Sequence, residues 1–168
     1  MRDVKVRKAS SLDLDEIVKM RLSLQKHAEK SNPLIWRYTD ERKRLIRQEL
    51  EEHFKDENNL ILIAEAKGKI VGFIHGATQH RTDYIPNDIG NILTIYVHEN
   101  FRRRGIGSRL VQEVCRSFRS RNVQEVYLRY VLGNKEAERF WARLGFKPIL
   151  VTANTQIDII EERLKKTG

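Results

Sequence analysis

Apolar and polar positions alternate at Val4-Lys5-Val6-Arg7, a period of two that predicts a strand. The period then lengthens. Leu14, Ile17, Val18 and Leu22 recur at helical spacing and predict a helix to about Ala28. Asp13, with Glu16 three residues on, fits a capping box at its start. Ser31 to Tyr38 breaks that spacing, and Pro33 supports a loop. A second helix is predicted from Thr39 or Asp40, with apolar positions Leu45, Ile46, Leu50 and Phe54. Glu49, Glu51 and Glu52 near its end oppose the helix dipole, so salt bridges from Arg44, Arg47 or Lys55 are expected. Leu60–Ala64 and Ile70–Gly76 are strand-length apolar runs either side of Lys67-Gly68-Lys69, which predicts a hairpin.

After a loop at 81–88 comes the run Ile92-Leu93-Thr94-Ile95-Tyr96-Val97. It leads through a basic, glycine-bearing loop into a helix with Leu110, Val111, Val114 and Phe118 on one face. Glu125–Val131 alternates as a strand. Ala137, Phe140, Trp141 and Leu144 predict a short helix that stops at Gly145. Phe146–Val151 and Gln156–Ile160 read as two further strands, with Asn154 in the turn; 161–168 fits neither period better than the other. The predicted order is β-α-α-β-β-β-α-β-α-β-β. A helix joins the strands at 92–97 and 125–131, so these should be parallel neighbours. The fold class is α/β, a mixed sheet with helices on both faces. No repeat or linker is visible, and 168 residues fit a single domain, 1–168.

Composition narrows the class. With 40% hydrophobic and 33% charged residues the chain is neither disordered nor a membrane span. Residues 1–5 lack the apolar core of a secretory leader, and Cys115 is the single cysteine, so a reducing cytoplasm is expected. Cys115 lies among Leu110, Val111, Val114 and Phe118 and reads as a core residue. No His, Cys or acidic cluster has metal-ligand spacing, so no metal is expected. The net charge of +9 admits an anionic partner. Seven arginines against one acid between Arg102 and Arg121 supply +6 of it. Those at 116, 119 and 121 read as a solvated helix face. Arg102, Arg103 and Arg104 abut the glycine loop, where phosphate binding is the better reading.

That loop, Arg102-Arg103-Arg104-Gly105-Ile106-Gly107-Ser108, joins a strand to a helix start. Backbone N–H groups and the positive end of the helix dipole converge there, as an anion site requires. A Walker loop would need a Lys-Ser/Thr pair after its second glycine, and none is present. A dinucleotide fingerprint would need a small residue where Leu110 stands.

Ile95-Tyr96-Val97 followed by Arg102-x-x-Gly105-x-Gly107 resembles the acyl-CoA-binding signature of the GNAT superfamily of N-acetyltransferases. Asn134-x-x-Ala137-x-x-x-Trp141-x-x-x-Gly145-Phe146 is similar to that family's second motif. The resemblance implies a cleft where the strands at 92–97 and 125–131 splay apart around acetyl-CoA. It implies that Ile95, Tyr96 and Val97 face the pantetheine arm and that Arg102 through Ser108 hold the pyrophosphate. Asn134 is then a pantetheine contact, with helix capping as its other reading. Backbone N–H near Val97 polarises the thioester carbonyl, and the amine attacks directly.

The sequence departs from the family at two places. Trp141 stands where many members carry a tyrosine acid, and Asn91 stands near the position of a base glutamate. Tyr130 or Tyr127 on the neighbouring strand, Asn91 through a water, and His75 as a proton relay are the candidates left. His27, His53, His80 and His98 are expected to be exposed. Trp36 and Tyr38 in the first interhelical connection, and Tyr84 in the later loop, are candidate acceptor contacts. The expected function is acetyl-CoA-dependent transfer to a primary amine: a protein N-terminus, a lysine or a small molecule. A non-catalytic acyl-CoA-binding module is the alternative, and a nucleic-acid binder a further one that lacks any recognition motif. A homodimer is a further expectation from the resemblance, and no membrane partner is expected.

Overall fold

The computed structural model describes residues 4–31 and 36–166, so Pro33 and the middle of its predicted loop, 32–35, lie outside the described residues. Two compact units divide the chain between Val131 and Leu132. The first is built on a five-stranded sheet in the order β1-β2-β3-β4-β5. Its strands are β1 (Val4–Lys8), β2 (Asn59–Ala66), β3 (Lys69–His80), β4 (Asp88–Val97) and β5 (Glu125–Leu128). Its helices are α1 (Leu14–Ser31), α2 (Asp40–His53) and α3 (Ile106–Ser120). The strands β1 to β4 pair antiparallel, and β4 with β5 is the one parallel pair. The β2–β3 hairpin turns on Lys67 (φ 50°) and Gly68 (φ 74°). Two successive left-handed residues match the twist of the flanking strands.

Helices cover both faces, which is why β2 and β3 read as continuous apolar runs. Ile17 and Met20 of α1 and Ile46 and Leu50 of α2 bury against Ile61, Ile63 and Phe73 on one face. On the other face α3 brings Val114 and Phe118 to Gly76 and Gly90. A Cβ at Gly90 would come within 2.5 Å of the Phe118 ring.

The cap of α1 differs from the expectation. Asp13, rather than pairing with Glu16, accepts from the Ser10 N–H at 2.8 Å and from both Nη atoms of Arg7 at 2.8 Å. Arg7 also reaches Glu65 at 3.0 Å, tying β1, β2 and the start of α1 together. The Arg7 hydrogen bonds hold the Asp13 carboxyl down at about 2, below its ordinary 3.8. Thr39 caps α2 as expected, its Oγ1 accepting from Arg42 N–H at 3.1 Å. The glutamates of α2 find Arg42, which grips Glu49 at 2.6 and 2.9 Å, and Arg47, 3.8 Å from Glu51.

The second unit carries α4 (Lys135–Arg143) and α5 (Ile157–Lys165). Asn134 Oδ1 accepts from Ala137 N–H at 3.1 Å and so caps α4. Gly145 (φ 91°) ends it, and Trp141 meets Phe140 and Phe146 edge-on at 4.7 and 5.2 Å. Two expected strands are absent. Phe146–Val151 has no regular structure, and α5 occupies most of Gln156–Ile160 and continues to Lys165. Ile157, Ile160 and Leu164 fall at i, i+3 and i+7, with Asp158 in the first turn and Arg163 and Lys165 in the last. The end charges complement the helix dipole, and this outweighs the short alternation of Gln156 to Ile160.

Candidate active site

The site begins with one extra residue. His75 pairs with Thr94 and Gly76 with Ile92, so Leu93 has no partner on β3 and forms a bulge in β4. The parallel pairing of β5 stops at the same level, its last pair being Ile92 with Leu128. The predicted strand at 125–131 is therefore short: Arg129–Val131, including the candidate Tyr130, lies beyond the point where β4 bends away. Past the bulge β4 runs on to Val97, and among the described residues no strand pairs with it on that side.

The ladder decides which groups face the open edge. His98 N–H donates to Val71 O at 2.9 Å, so alternation turns Tyr96 toward β3 and the N–H and C=O groups of Ile95 and Val97 outward. Val97 O is already taken, because Arg102 Nε donates to it at 2.9 Å. Arg102 therefore braces the loop against the strand, its guanidinium 6.0 Å from the Tyr96 ring. The open edge retains the Val97 N–H and both groups of Ile95.

The glycine loop leads from that edge to α3. Arg103 (φ 59°) and Gly105 (φ 77°) both adopt the left-handed conformation. Gly105 is the N-cap, and the first intrahelical bond from the loop is Arg109 N–H to Gly105 O at 3.0 Å. The N–H groups of Ile106, Gly107 and Ser108 consequently have no helical acceptor and point out of the helix start. Arg104 sits over Phe101 at 5.5 Å and is exposed. Of the arginines farther along, Arg116 is exposed and pairs with Glu113 on the same helix at 2.7 Å, as a solvated face would, while Arg121 donates to Glu57 O at 2.7 Å. These groups suit a CoA thioester: an unpaired strand edge for its amide arm, and free N–H groups with exposed guanidinium for its phosphates.

A cavity of about 260 Å³ opens on the α1/α2 side of the bulge. Ile46, Leu50 and Leu93 form its apolar wall; Arg21, Glu49, His53, His75 and Thr94 are its polar lining. His75 is 4% exposed. Asn59 Nδ2 donates to Asp56 at 2.6 Å, which turns Asn59 Oδ1 toward His75. His75 Nε2 therefore carries the proton it donates there at 2.6 Å. Its ring lies 4.9 Å from that of His53. Burial, with smaller contributions from His53 and Arg21, holds the His75 pKa down at about 3. The relay expected of His75 does not suit a ring so pinned and kept neutral.

One result follows for stability. His75 is neutral in the fold and titrates near 6.5 when unfolded, so between these values the unfolded chain binds more protons. Stability should fall as pH drops below 6.5, by about 2 kcal/mol at pH 5 from this group alone. Urea midpoints at pH 7 and 5 should therefore differ more for the wild type than for His75→Gln. Equal differences would mean that the imidazole is hydrated in the fold.

The remaining candidates are dispersed. Asn91 Nδ2 donates to Gln79 Oε1 at 3.0 Å on the β3 side. Tyr38 packs on the core with Arg42 over its ring at 5.4 Å, and Trp36, 42% exposed, has its carbonyl bound by Gln25 Nε2. Tyr84 is exposed and helps to sandwich Arg81, whose guanidinium carbon is 5.0 Å from Tyr84 and 5.2 Å from Tyr127. Cys115 is half-buried, and burial pushes its thiol pKa up, away from nucleophilic use. Among the described residues no cluster of metal-ligating side chains converges, and no helix is long and apolar enough to cross a membrane.

Several residues of this site were not singled out in the sequence. His53 was expected to be exposed, yet its Nδ1 is buried with no partner. Its spacing from Ile46 and Leu50, i, i+4 and i+7, was the available signal. Thr94 and Glu49 gave none.

The chain belongs to the acetyltransferase (GNAT) family, whose model matches residues 23–146. It is similar to an N-alpha-acetyltransferase of Sulfurisphaera tokodaii, 27% identical over 164 residues, 94% of this chain and 88% of that protein. Among solved structures it resembles the tetramutant of BH1408 protein from Bacillus halodurans, with a TM-score of 0.81 and 19% identity, covering 91% of this chain and 99% of that one. It also resembles the aminoglycoside N-acetyltransferase AAC(6')-Iy in complex with CoA, with a TM-score of 0.69 and 19% identity over 91% of this chain and 93% of that one. At these identities the structures bear on the fold.

Proposed function

We propose that this chain transfers an acetyl group from acetyl-CoA to the α-amine of a polypeptide. The observation that carries the proposal is the open β4 edge at the Leu93 bulge, continuous with the free N–H groups that start α3. The Val97 N–H and the Ile95 backbone would pair with the pantetheine amides as an added strand does. The N–H groups of Ile106, Gly107 and Ser108, with Arg103 and Arg104, would hold the pyrophosphate. An N–H at the bulge would polarise the thioester carbonyl.

The amine then attacks the carbonyl directly, and the thiolate of CoA leaves. Holding two reactants at one bulge supplies most of the acceleration, as effective molarities allow. Neither His75 nor Trp141 offers a group suited to moving the proton, and a water at the cavity mouth would accept it. The α-amine is favoured over other acceptors because the similar Sulfurisphaera tokodaii protein is an N-alpha-acetyltransferase.

The test is release of free thiol from acetyl-CoA in the presence of a peptide, a polyamine and an aminoglycoside. Turnover with the peptide is expected. CoA binding without turnover across the panel would favour the non-catalytic module, and no CoA binding would overturn both readings.

A further inference from the structure

We propose that Arg81, stacked between Tyr84 and Tyr127, is a carboxylate site that selects polypeptides with an acidic side chain among their first few residues. This rests on the acceptor being a polypeptide α-amine.

The guanidinium is held but not neutralised. Its carbon lies 5.0 Å from the Tyr84 ring and 5.2 Å from the Tyr127 ring, and two aromatic faces fix the plane while leaving its charge intact. Pro86 O accepts from Nη2 at 3.0 Å, and Nε is buried without a partner. Nη1 also lacks a partner but, unlike Nε, is not buried. The acids nearest along the chain are engaged elsewhere: Asp83 Oδ1 accepts from Thr82, and His80 Nδ1 lies 2.8 Å from Asp88 Oδ1. Arg7 and Arg42, also partly buried, each grip a carboxylate with two hydrogen bonds. Arg81 has the same planar fork and, among the described residues, no carboxylate on it, so an acid brought by the acceptor would complete it.

The position fits an acceptor chain leaving the bulge. Toward Val97 the β4 edge is the proposed seat of CoA, and Phe73 and His75 are buried under α1 and α2. In the other direction the same face of the sheet is accessible: Gln79 is exposed, and Asn91 and Tyr127 are half-buried. Tyr127 pairs in register with Asn91, two residues before Leu93. At strand spacing this puts the guanidinium on the order of 10 Å from the bulge. An extended polypeptide advances about 3.3–3.6 Å per residue, so its third residue comes level with Arg81. The net charge of +9 draws acidic chains toward the protein as a whole.

Peptides with a free α-amine and a single Glu or Gln at the second, third or fourth residue test the site. With saturating acetyl-CoA at low ionic strength, kcat/KM should favour Glu over Gln about tenfold at the third residue, and added salt should shrink the preference. Arg81→Gln should bring the ratio to about one. Arg81→Glu should reverse the selection, so that a peptide with Lys at that residue overtakes the Glu peptide. Each ratio is internal to one variant, so partial loss of folding cancels. A ratio near one at all three residues in the wild type would overturn the site, as would a preference that survives Arg81→Gln. No transfer to any peptide, with CoA still bound, would overturn the acceptor assignment itself and the site with it.

Discussion

Replacing Gly105 with valine should weaken acetyl-CoA binding by about five- to a hundredfold, measured by calorimetric titration. The reason is conformational and not steric. Gly105 has φ 77° as the N-cap of α3, and a Cβ built there meets nothing within 4 Å. A β-branched residue nevertheless resists this region, at a cost of roughly 1–3 kcal/mol. The loop would relax toward negative φ, and the N–H groups of Ile106, Gly107 and Ser108 would turn from their common target. Gly105→Asn separates the two causes, because asparagine visits the left-handed region readily. It should retain most of the affinity. Should Gly105→Val bind acetyl-CoA as the wild type does, the assignment of this loop to the phosphates fails.

The second large effect concerns the scaffold. Phe118→Ala should cost about 3–5 kcal/mol of stability by urea denaturation. Phe118 is 2% exposed and fills the room that two glycines leave on the sheet. A Cβ at Gly90 would lie 2.5 Å from its ring, and one at Gly76 would lie 3.1 Å from its ring and 2.8 Å from Val114. Gly90→Ala alone should cost about 1–3 kcal/mol through overpacking. In the double variant the new methyl enters space that the ring vacated, so its cost should fall short of the sum. Additive costs would show that helix and strand do not share this space. The proposed site is coupled to it, since Gly90 lies three residues before Leu93 on β4 and α3 carries the glycine loop at its other end.

Local signals carried most of the scaffold. Strand runs, the Lys67-Gly68 turn, the Thr39 cap and the order from β1 to α4 were all legible, because each depends on residues near one another in the chain. The position of the glycine loop at a helix start was legible for the same reason. Leu93 was not, since Ile92 to Val97 reads as an unbroken apolar run and a bulge is a property of pairing with β3. Thr94 was hidden with it. The true partner of Asp13 lies on β1, brought there by the sheet and not by the helix spacing that pointed to Glu16. Alternation in Gln156-Ile157-Asp158-Ile159 matched a strand over four residues, too short a window to outweigh the helical pattern that extends to Leu164. The two departures from the family, Trp141 and Asn91, were legible in the sequence, whereas the burial of His75 was not.

The most direct measurement is mass-spectrometric mapping of the acetyl group on a peptide with a free α-amine and an internal lysine, incubated with acetyl-CoA and the wild-type chain. Acetylation confined to the α-amine is the expected result. Acetylation of the lysine side chain alone would contradict the assigned acceptor, and CoA bound without transfer to either amine would contradict catalysis.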